Sequence, residues 1–442
     1  MHYFLGPHRS GGLNRYAADL AETQLSAGKK VAILYPGGGL LPQKKTRIIS
    51  RNSYHKIPLY ELQGGPPITL LDGIRDPDWV LKRQDCFLSA NKIHLFFEEI
   101  KPDVFHIHTW MGFPEELLFS LKELGCRIVY TTHDYFGICP KVNLIKDDNT
   151  NCTKPSDEEC SRCNANAPSS VYFRLRNFAF LYQFKNIINP LKKTFWVANK
   201  EIPITKQIKC REYTALRNHY EKLLNACDMI HFNSKITENI YLSFFPELKK
   251  KTQVLSIMHK GISDKRKLKP VNKEQIRLCF LGAAAQYKGL SVLLSVLNEV
   301  WNEGFHNWVL DVWGTEKQKT NKHNGIPFFF HGRYNAKDLE RLLCDKDLVI
   351  VPSIWFETFG FVVLEAISYG IPVLCSDTVG AQYLLSKSMI YHGKEELKSK
   401  LVSFLKNPSI LEQIRIDICS NTSFPLTMKE HEQAIDQLFY KE

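Results

Sequence analysis

The sequence predicts an α/β protein: two Rossmann-like, doubly wound parallel-sheet domains facing a central cleft. Three observations carry this expectation. Short runs of β-branched and aromatic residues alternate with longer stretches of helical period, the order of βα units. Those runs are almost continuously apolar, as strands covered on both faces must be. A chain of 442 residues is also too long for one ordinary core, so at least two domains are expected.

In the first half the strands read as "MHYFLG", "KVAILYP", "VFHIHTW", "RIVYTTHD", "MIHFNS" and "TQVLSIM". In the second they read as "IRLCFLG", "WVLDVWG", "FFFHGR", "DLVIVPS" and "IPVLCS". Between the halves, from Met258 to Gln275, the apolar period stops and Lys, Gly and Pro take over, which reads as a linker. The expected organisation is therefore a first domain over residues 1–262, a second over 263–426 and a terminal helix over 427–442. Where that helix docks is not readable. Sheets of this kind bind ligands at the carboxyl ends of their strands, which here would border the cleft.

Composition narrows the class. With 44% hydrophobic and 24% charged residues the chain reads as globular, and no apolar run approaches the roughly 20 residues needed to span a bilayer. The opening "MHYFLGPHRSGG" lacks a secretory pattern. The cytoplasm, including the inner face of its membrane, is the expected location. A net charge of +12 favours an anionic partner, whether nucleic acid, a phosphorylated ligand or an acidic membrane.

An insertion over roughly residues 136–225 separates the fourth and fifth strands. Its second part, Val171 to Lys222, holds 11 Lys and Arg against 3 Asp and Glu, with many aromatics. It reads either as a solvated pair of helices or as a surface for an anionic membrane or a lipid-linked acceptor. Its first part places Cys139, Cys152, Cys160 and Cys163 in one loop, the last two as C-x2-C. Four thiolates at such spacing can close a structural zinc site that pins a polar loop; free thiols and an iron–sulfur cluster are the alternatives.

The stretch "WFETFGFVVLEAISYGIPV", Trp355 to Val373, sets two carboxylates around an apolar run. "DLVIVPS" is a buried strand, "IWFETFG" a loop, and a helix begins near Gly360. The amides of Gly360 and Phe361 then stand free at the positive end of a helix, an anion site. Glu357 precedes the helix, while Glu365 leans back toward its start. Carboxylates accept from hydroxyls, so the matching ligand carries phosphate between hydroxyl-rich groups, the layout of a nucleoside diphosphate sugar.

"ETFGFVVLEAISYGIPV" resembles the E-x7-E motif of the family 4 glycosyltransferases of the GT-B fold, retaining enzymes that move a sugar from a nucleotide donor. Other segments resemble the family in order: "GGLNRYAADLAETQLSAGKKV" its glycine loop and first helix, "PDVFHIHTW" and "TTHD" its middle strands, and "FLGAAAQYKGLSVLL" the first strand and helix of its donor domain. The resemblance implies that Glu365 holds the ribose hydroxyls, that Glu357 contacts the donor sugar near the reacting carbon, that Lys288 reaches the diphosphate and that His133 borders the sugar. Gly11 and Gly12 would let the backbone approach the diphosphate. His106 and His108 of "HIH" read as structural.

The family commonly carries Gly-Arg at the end of the first donor-domain strand, and here that pair is Gly282-Ala283. Arg333 after "FFFHG", or Arg9 and Arg15 near the glycine loop, could supply the missing cation. The resemblance further implies a front-face reaction in which the departing phosphate takes the acceptor's proton, and no metal or other cofactor for catalysis. The expected acceptor is a saccharide or a lipid-linked saccharide in surface polysaccharide biosynthesis. Two readings stand beside it: a GT-B sugar-nucleotide epimerase and a zinc-bearing nucleic-acid-binding protein. A dehydrogenase is disfavoured, because no strand is followed by G-x-G-x-x-G.

Overall fold

The structure, a computed structural model, describes residues 1–37, 46–66, 68–82, 90–169, 173, 210–317, 325–421 and 427–441. Two sheets organise it. The first has the order β3-β4-β2-β1-β5-β6-β7-β8 and the second β11-β10-β9-β12-β13-β14. The first comprises β1 (His2–Tyr3), β2 (Ile33–Gly37), β3 (Arg47–Tyr54), β4 (Ile57–Gln63), β5 (Val104–Ile107), β6 (Arg127–Thr131), β7 (Met229–Phe232) and β8 (Thr252–Val254). The second comprises β9 (Ile276–Leu281), β10 (Trp308–Trp313), β11 (Phe328–Gly332), β12 (Leu348–Val351), β13 (Val373–Ser376) and β14 (Ile390–Tyr391).

Strand pairing is parallel throughout except for the β3–β4 hairpin at the edge. The central strands are buried without interruption: Leu348 to Val351 and Val373 to Ser376 are covered along their whole length. This is what their unbroken apolar runs require. The hairpin was not expected from the sequence, because "RIISRNSY" is mostly exposed and carries charges on what proves to be an edge strand. The two-residue β14 was missed for its brevity.

The terminal segment finds its dock on the first domain. Helix Met428–Ile435, closed by a capping box from Thr427 and Glu430, packs on helix Gly12–Ser26. Lys29 pairs with Glu432 at 3.0 Å and with Asp436, while Tyr16 Oη lies 2.9 Å from His431 Nε2. Arg127 Nε donates to the carbonyl of Phe439 at 2.8 Å. One apolar cluster runs through Tyr16 and Leu20, Val349 and Val363, and Ile435 and Phe439, joining both halves through the chain's end. Most of the basic, aromatic part of the insertion, residues 170–172 and 174–209, lies outside the described residues. Among the described residues no helix is long and apolar enough to cross a membrane.

Candidate functional site

A cleft of about 710 Å³ opens between the halves, where the strands of both sheets end. Two helix starts border it from opposite sides. Helix Gly12–Ser26 begins after Gly11, and helix Phe361–Ser368 begins after Gly360. Gly11, Gly12, Gly360 and Phe361 all line the cleft, and the ring of Phe361 packs 3.4 Å from where a side chain on Gly12 would begin. The first amides of a helix have no acceptor within it, so both starts offer N–H donors to the same space.

The loop from Val351 to Gly360 is held by its own backbone. Glu357 N–H donates to the Thr378 carbonyl at 2.9 Å, and Gly380 N–H donates to the Glu357 carbonyl at 2.9 Å. Thr358 Oγ1 donates to the His133 carbonyl at 3.0 Å, and Thr237 Oγ1 donates to the Thr358 carbonyl at 3.0 Å. The motif is thereby tied across the cleft to the first domain. Gly360 itself takes the left-handed conformation, φ 94°, which turns the chain into the helix.

Both motif glutamates are buried, Glu357 9% and Glu365 7% exposed. Lys288 Nζ donates to Glu357 Oε1 at 2.5 Å, and Ser353 Oγ to Oε2 at 2.5 Å. The lysine's position depends on its neighbour. Gly289 has φ 73°, and a Cβ there would fall 1.6 Å from the Pro352 carbonyl oxygen, so only glycine lets this loop pass the strand end.

Glu365 Oε1 accepts from Arg15 Nη1 at 3.3 Å across the cleft and lies 3.1 Å from His259 Nε2. A Cβ at Gly261 would sit 2.2 Å from Arg15 Nη2, so that glycine makes room for the guanidinium. Arg15, one of the two first-domain arginines singled out as a replacement cation, thus reaches the centre of the site. Arg9 also lines the cleft.

Other sequence candidates fall around this centre. His133 lines the cleft, and burial pushes its imidazole down to about 3, with His231 adding to the effect. His106 and His108 are fully inside the first domain. Gly282 follows β9 and meets Gly314 closely, Ala283 is exposed, and neither is among the residues lining the cleft. Arg333 is exposed, and the next two residues, Tyr334 and Asn335, line the cleft. Asp134 beside His133 is raised to about 6 by burial.

The four cysteines share the expected loop and lie close enough to act on one another's thiols, while no three of their sulfurs lie within 4.8 Å of one another. Among the described residues the one group of three or more ligand-type side chains within 4.8 Å of one another is His2, His106 and His108. A closed zinc site with Zn–S bonds of about 2.3 Å needs sulfurs roughly 3.8 Å apart. Instead Cys160 Sγ accepts from Arg217 Nη1 at 3.4 Å, and burial pushes its thiol up to about 12. The loop is held by the Ile145–Asn151 bridge, by Lys146 and Glu159 at 2.8 Å and by Asn151 Nδ2 donating to the Ile354 carbonyl at 2.9 Å. It thereby abuts the glutamate motif. Two Asp-x-Asp triplets occur, at Asp76–Asp78 and Asp345–Asp347, and neither lines the cleft.

Sequence reasoning missed His259 and Ser353. His259 lies at the start of the linker, where no periodicity marks a side chain as buried. Ser353 was visible as the end of "VPS" but carried no signal for a bond to Glu357.

Comparison with known proteins places this geometry. Residues 10–151 match the family described as Glycosyltransferase Family 4, and residues 262–415 match the family described as Glycosyl transferases group 1. An "Uncharacterized 41.2 kDa protein in cps region" of Klebsiella pneumoniae is 31% identical over 121 residues, 27% of this chain. The match spans about a third, 32%, of that relative's length. Among solved structures, WaaG, a glycosyltransferase involved in lipopolysaccharide biosynthesis, superposes with a TM-score of 0.56 at 14% identity, over 99% of this chain and 98% of its own. HepE of Anabaena, in complex with UDP and glucose, gives 0.52 at 13% identity, over 99% and 97%. Sucrose-phosphate synthase of Thermosynechococcus elongatus gives 0.56 at 14%, over 99% and 94%. At these identities the likeness is one of fold.

Proposed function

The chain belongs to the family 4 glycosyltransferases of the GT-B fold, and on that premise we propose that it transfers a sugar, with retention, from a nucleoside diphosphate sugar to a saccharide or lipid-linked acceptor. The observation that carries the reading is the placement of Glu357 and Glu365 on either side of the start of helix Phe361–Ser368, within one cleft. That arrangement suits a ligand with hydroxyls at both ends and negative charge between them.

Breaking the bond between sugar and phosphate builds positive character on the ring and negative charge on the diphosphate. In this reading Lys288 leaves Glu357 for the diphosphate, and the amides of Gly360 and Phe361 stabilise the same charge. Gly11 and Gly12 admit the phosphates to the opposite wall. Arg15 and Arg9 supply the positive charge missing at Ala283, with the exposed Arg333, next to the cleft residue Tyr334, as the further candidate. Glu365 exchanges Arg15 and His259 for ribose hydroxyls, Glu357 holds the sugar, and His133 borders it. The departing phosphate takes the acceptor's proton, so no dedicated base is needed.

HepE binds UDP-glucose, which supports a nucleotide-sugar donor here. The role of WaaG in lipopolysaccharide biosynthesis supports a part in surface polysaccharide assembly. A net charge of +12 is consistent with an acceptor held at an anionic membrane.

The test is a thermal-shift screen of the full chain against nucleoside diphosphate sugars, because a ligand bound only by the folded state raises its stability by about 2.7 kcal/mol at one hundred times its Kd. A stabilising donor then enters a transfer assay in which the anomeric configuration of the product is read by NMR. Retained configuration is expected. No stabilisation by any nucleotide sugar, or interconversion of the free donor without transfer, would overturn the reading.

A further inference from the structure

Behind His133 the first domain holds an unbroken line of polar side chains in an apolar interior. His133 Nε2 lies 3.3 Å from His108 Nδ1, and His108 Nε2 lies 3.0 Å from His2 Nδ1. His2 Nε2 lies 2.6 Å from Gln24 Oε1, and Gln24 Nε2 donates to Tyr440 Oη at 3.1 Å. Tyr440 Oη lies 2.6 Å from His106 Nδ1, His106 Nε2 lies 2.6 Å from Thr131 Oγ1, and Thr131 Oγ1 lies 2.9 Å from His231 Nδ1. The line ends where His231 Nε2 meets the carbonyl of Leu255 at 2.6 Å.

Its direction follows from the last member. A backbone carbonyl can only accept, so His231 carries its proton on Nε2 and its Nδ1 must accept from the Thr131 hydroxyl. Thr131 oxygen then accepts from His106 Nε2–H, and His106 Nδ1 accepts from the Tyr440 hydroxyl. Tyr440 oxygen accepts from the Gln24 amide, whose carbonyl therefore faces His2 and receives its Nε2–H. His2 Nδ1 accepts from His108 Nε2–H, and His108 Nδ1 accepts from His133 Nε2–H. Each group donates once and accepts once along the line. Reversing any single ring would oppose two donors or two lone pairs in a buried place, where an unmade hydrogen bond costs on the order of 1–3 kcal/mol.

We propose that this buried hydrogen-bond line, running from the Leu255 carbonyl through Tyr440 of the terminal segment to His133, fixes His133 as the Nε2–H tautomer and so presents a bare Nδ1 acceptor to the cleft. Two further observations agree with it. His2, His106, His108 and His231 are buried, so water cannot satisfy a misdirected ring. His133 is only half-buried and lines the cleft, so with Nε2 engaged by His108 the ring nitrogen left for the cleft is Nδ1.

The ligand group such an atom takes is a hydroxyl or another donor. That last step rests on the nucleotide-sugar reading, where the hydroxyl is one of the donor sugar's; the tautomer does not. Gln24 and Tyr440 are positioning residues here. They touch no substrate and act through three imidazoles, and the chain's end thereby reaches the site.

The test is a long-range proton–nitrogen NMR spectrum of the full chain with ring-labelled histidine and no ligand, His133 being assigned by its loss in His133→Gln. His2, His106, His108, His133 and His231 are each expected as a single Nε2–H tautomer. Gln24→Glu, which accepts from His2 but no longer donates to Tyr440, is expected to keep Nε2–H in His2, His108 and His133. Gln24→Lys, which can only donate, is expected to move the proton to Nδ1 in His2, His108 and His133 while His106 and His231 stay as they were. A network that only fills space would not split the rings into these two groups. Mixed tautomers or Nδ1–H at any of the five wild-type rings would overturn the proposal, as would a folded Gln24→Lys chain with His133 unchanged. Should Gln24→Lys not fold, the wild-type and Gln24→Glu spectra decide. Because no ligand is present, a failure here leaves the donor reading standing, and a failure of every nucleotide sugar to bind leaves this one standing.

Discussion

Lys288 and Glu357, on two different loops of the second domain, form an ion pair of 2.5 Å whose carboxylate lines the cleft. The pair keeps a cation and an anion together where a ligand with the opposite layout would separate them. Glu357 retains Ser353 as a donor on its other oxygen, so it stays oriented when the lysine leaves. The lysine also lies 5.5 Å from the centre of the Trp355 ring, which limits where its chain can swing.

Removing that cation should cost the chemical step most. Lys288→Ala is expected to lower kcat by about 10²–10³-fold, the usual loss when one preorganised donor to a developing anion is removed. The check is steady-state kinetics with a stabilising donor. A loss confined to KM would show that the lysine binds the donor but does not act in the transition state.

Glu365 is expected to govern nucleotide affinity. Glu365→Ala removes a charged acceptor, and at about 1.5–3 kcal/mol per charged hydrogen bond the nucleotide Kd should rise by roughly 10–100-fold. Isothermal titration with the free nucleoside diphosphate measures it. Unchanged affinity would remove the ribose assignment. The fold should persist, because the partners released are Arg15 and His259, and Arg15 keeps access to water.

Gly289→Ala should destabilise the second domain and displace Lys288. The backbone at φ 73° and the Pro352 carbonyl at 1.6 Å from the new Cβ act together, so a loss above about 1–3 kcal/mol is expected. Gly304→Ala is the control: its φ is 92° but nothing lies within 4 Å of its Cβ. A larger loss of denaturation midpoint for Gly304→Ala than for Gly289→Ala would contradict the role of the carbonyl.

Stability should fall with acid below pH 6.5. Burial depresses His2, His133 and His431 to about 3 and His231 to about 4. These groups bind protons more readily unfolded than folded, so their contribution is complete above 6.5 and is lost as pH falls toward 4. Each removes roughly 1.4 kcal/mol per pH unit across that interval. Asp134, raised to about 6 by burial, acts in the opposite sense, as one group against four. Denaturant midpoints at pH 7.5, 5.5 and 4.5 should decrease in that order, and a flat profile would contradict the burial of the histidines.

Much of the fold was legible because it is written locally. Eleven runs of apolar, β-branched residues became strands of two parallel sheets, since burial on both faces leaves a mark on every residue of such a run. The β3–β4 hairpin was not legible: an edge strand with exposed charges looks like a loop. In the site, the glutamates and the helix start at Gly360 were readable because one loop and one helix carry them, and Lys288, on a separate loop, through the resemblance of "FLGAAAQYKGLSVLL" to the family. That Tyr334 and Asn335 line the cleft beside the exposed Arg333 was not legible, because the direction of a side chain past a strand end depends on a turn that periodicity does not describe.

By itself, then, the sequence determined the two-sheet architecture, the position of the cleft and the glutamate motif within it, all of which follow from patterns a few residues long. Only the tertiary structure decided what those residues meet. Arg15 reaches Glu365 across 350 positions of sequence, Tyr440 meets His106 across 334, and the four cysteines share a loop in which no three sulfurs lie within 4.8 Å of one another. Hydrogen-bond partners between distant elements are set by how the elements pack, and packing answers to the shape of the whole core, which no local pattern records.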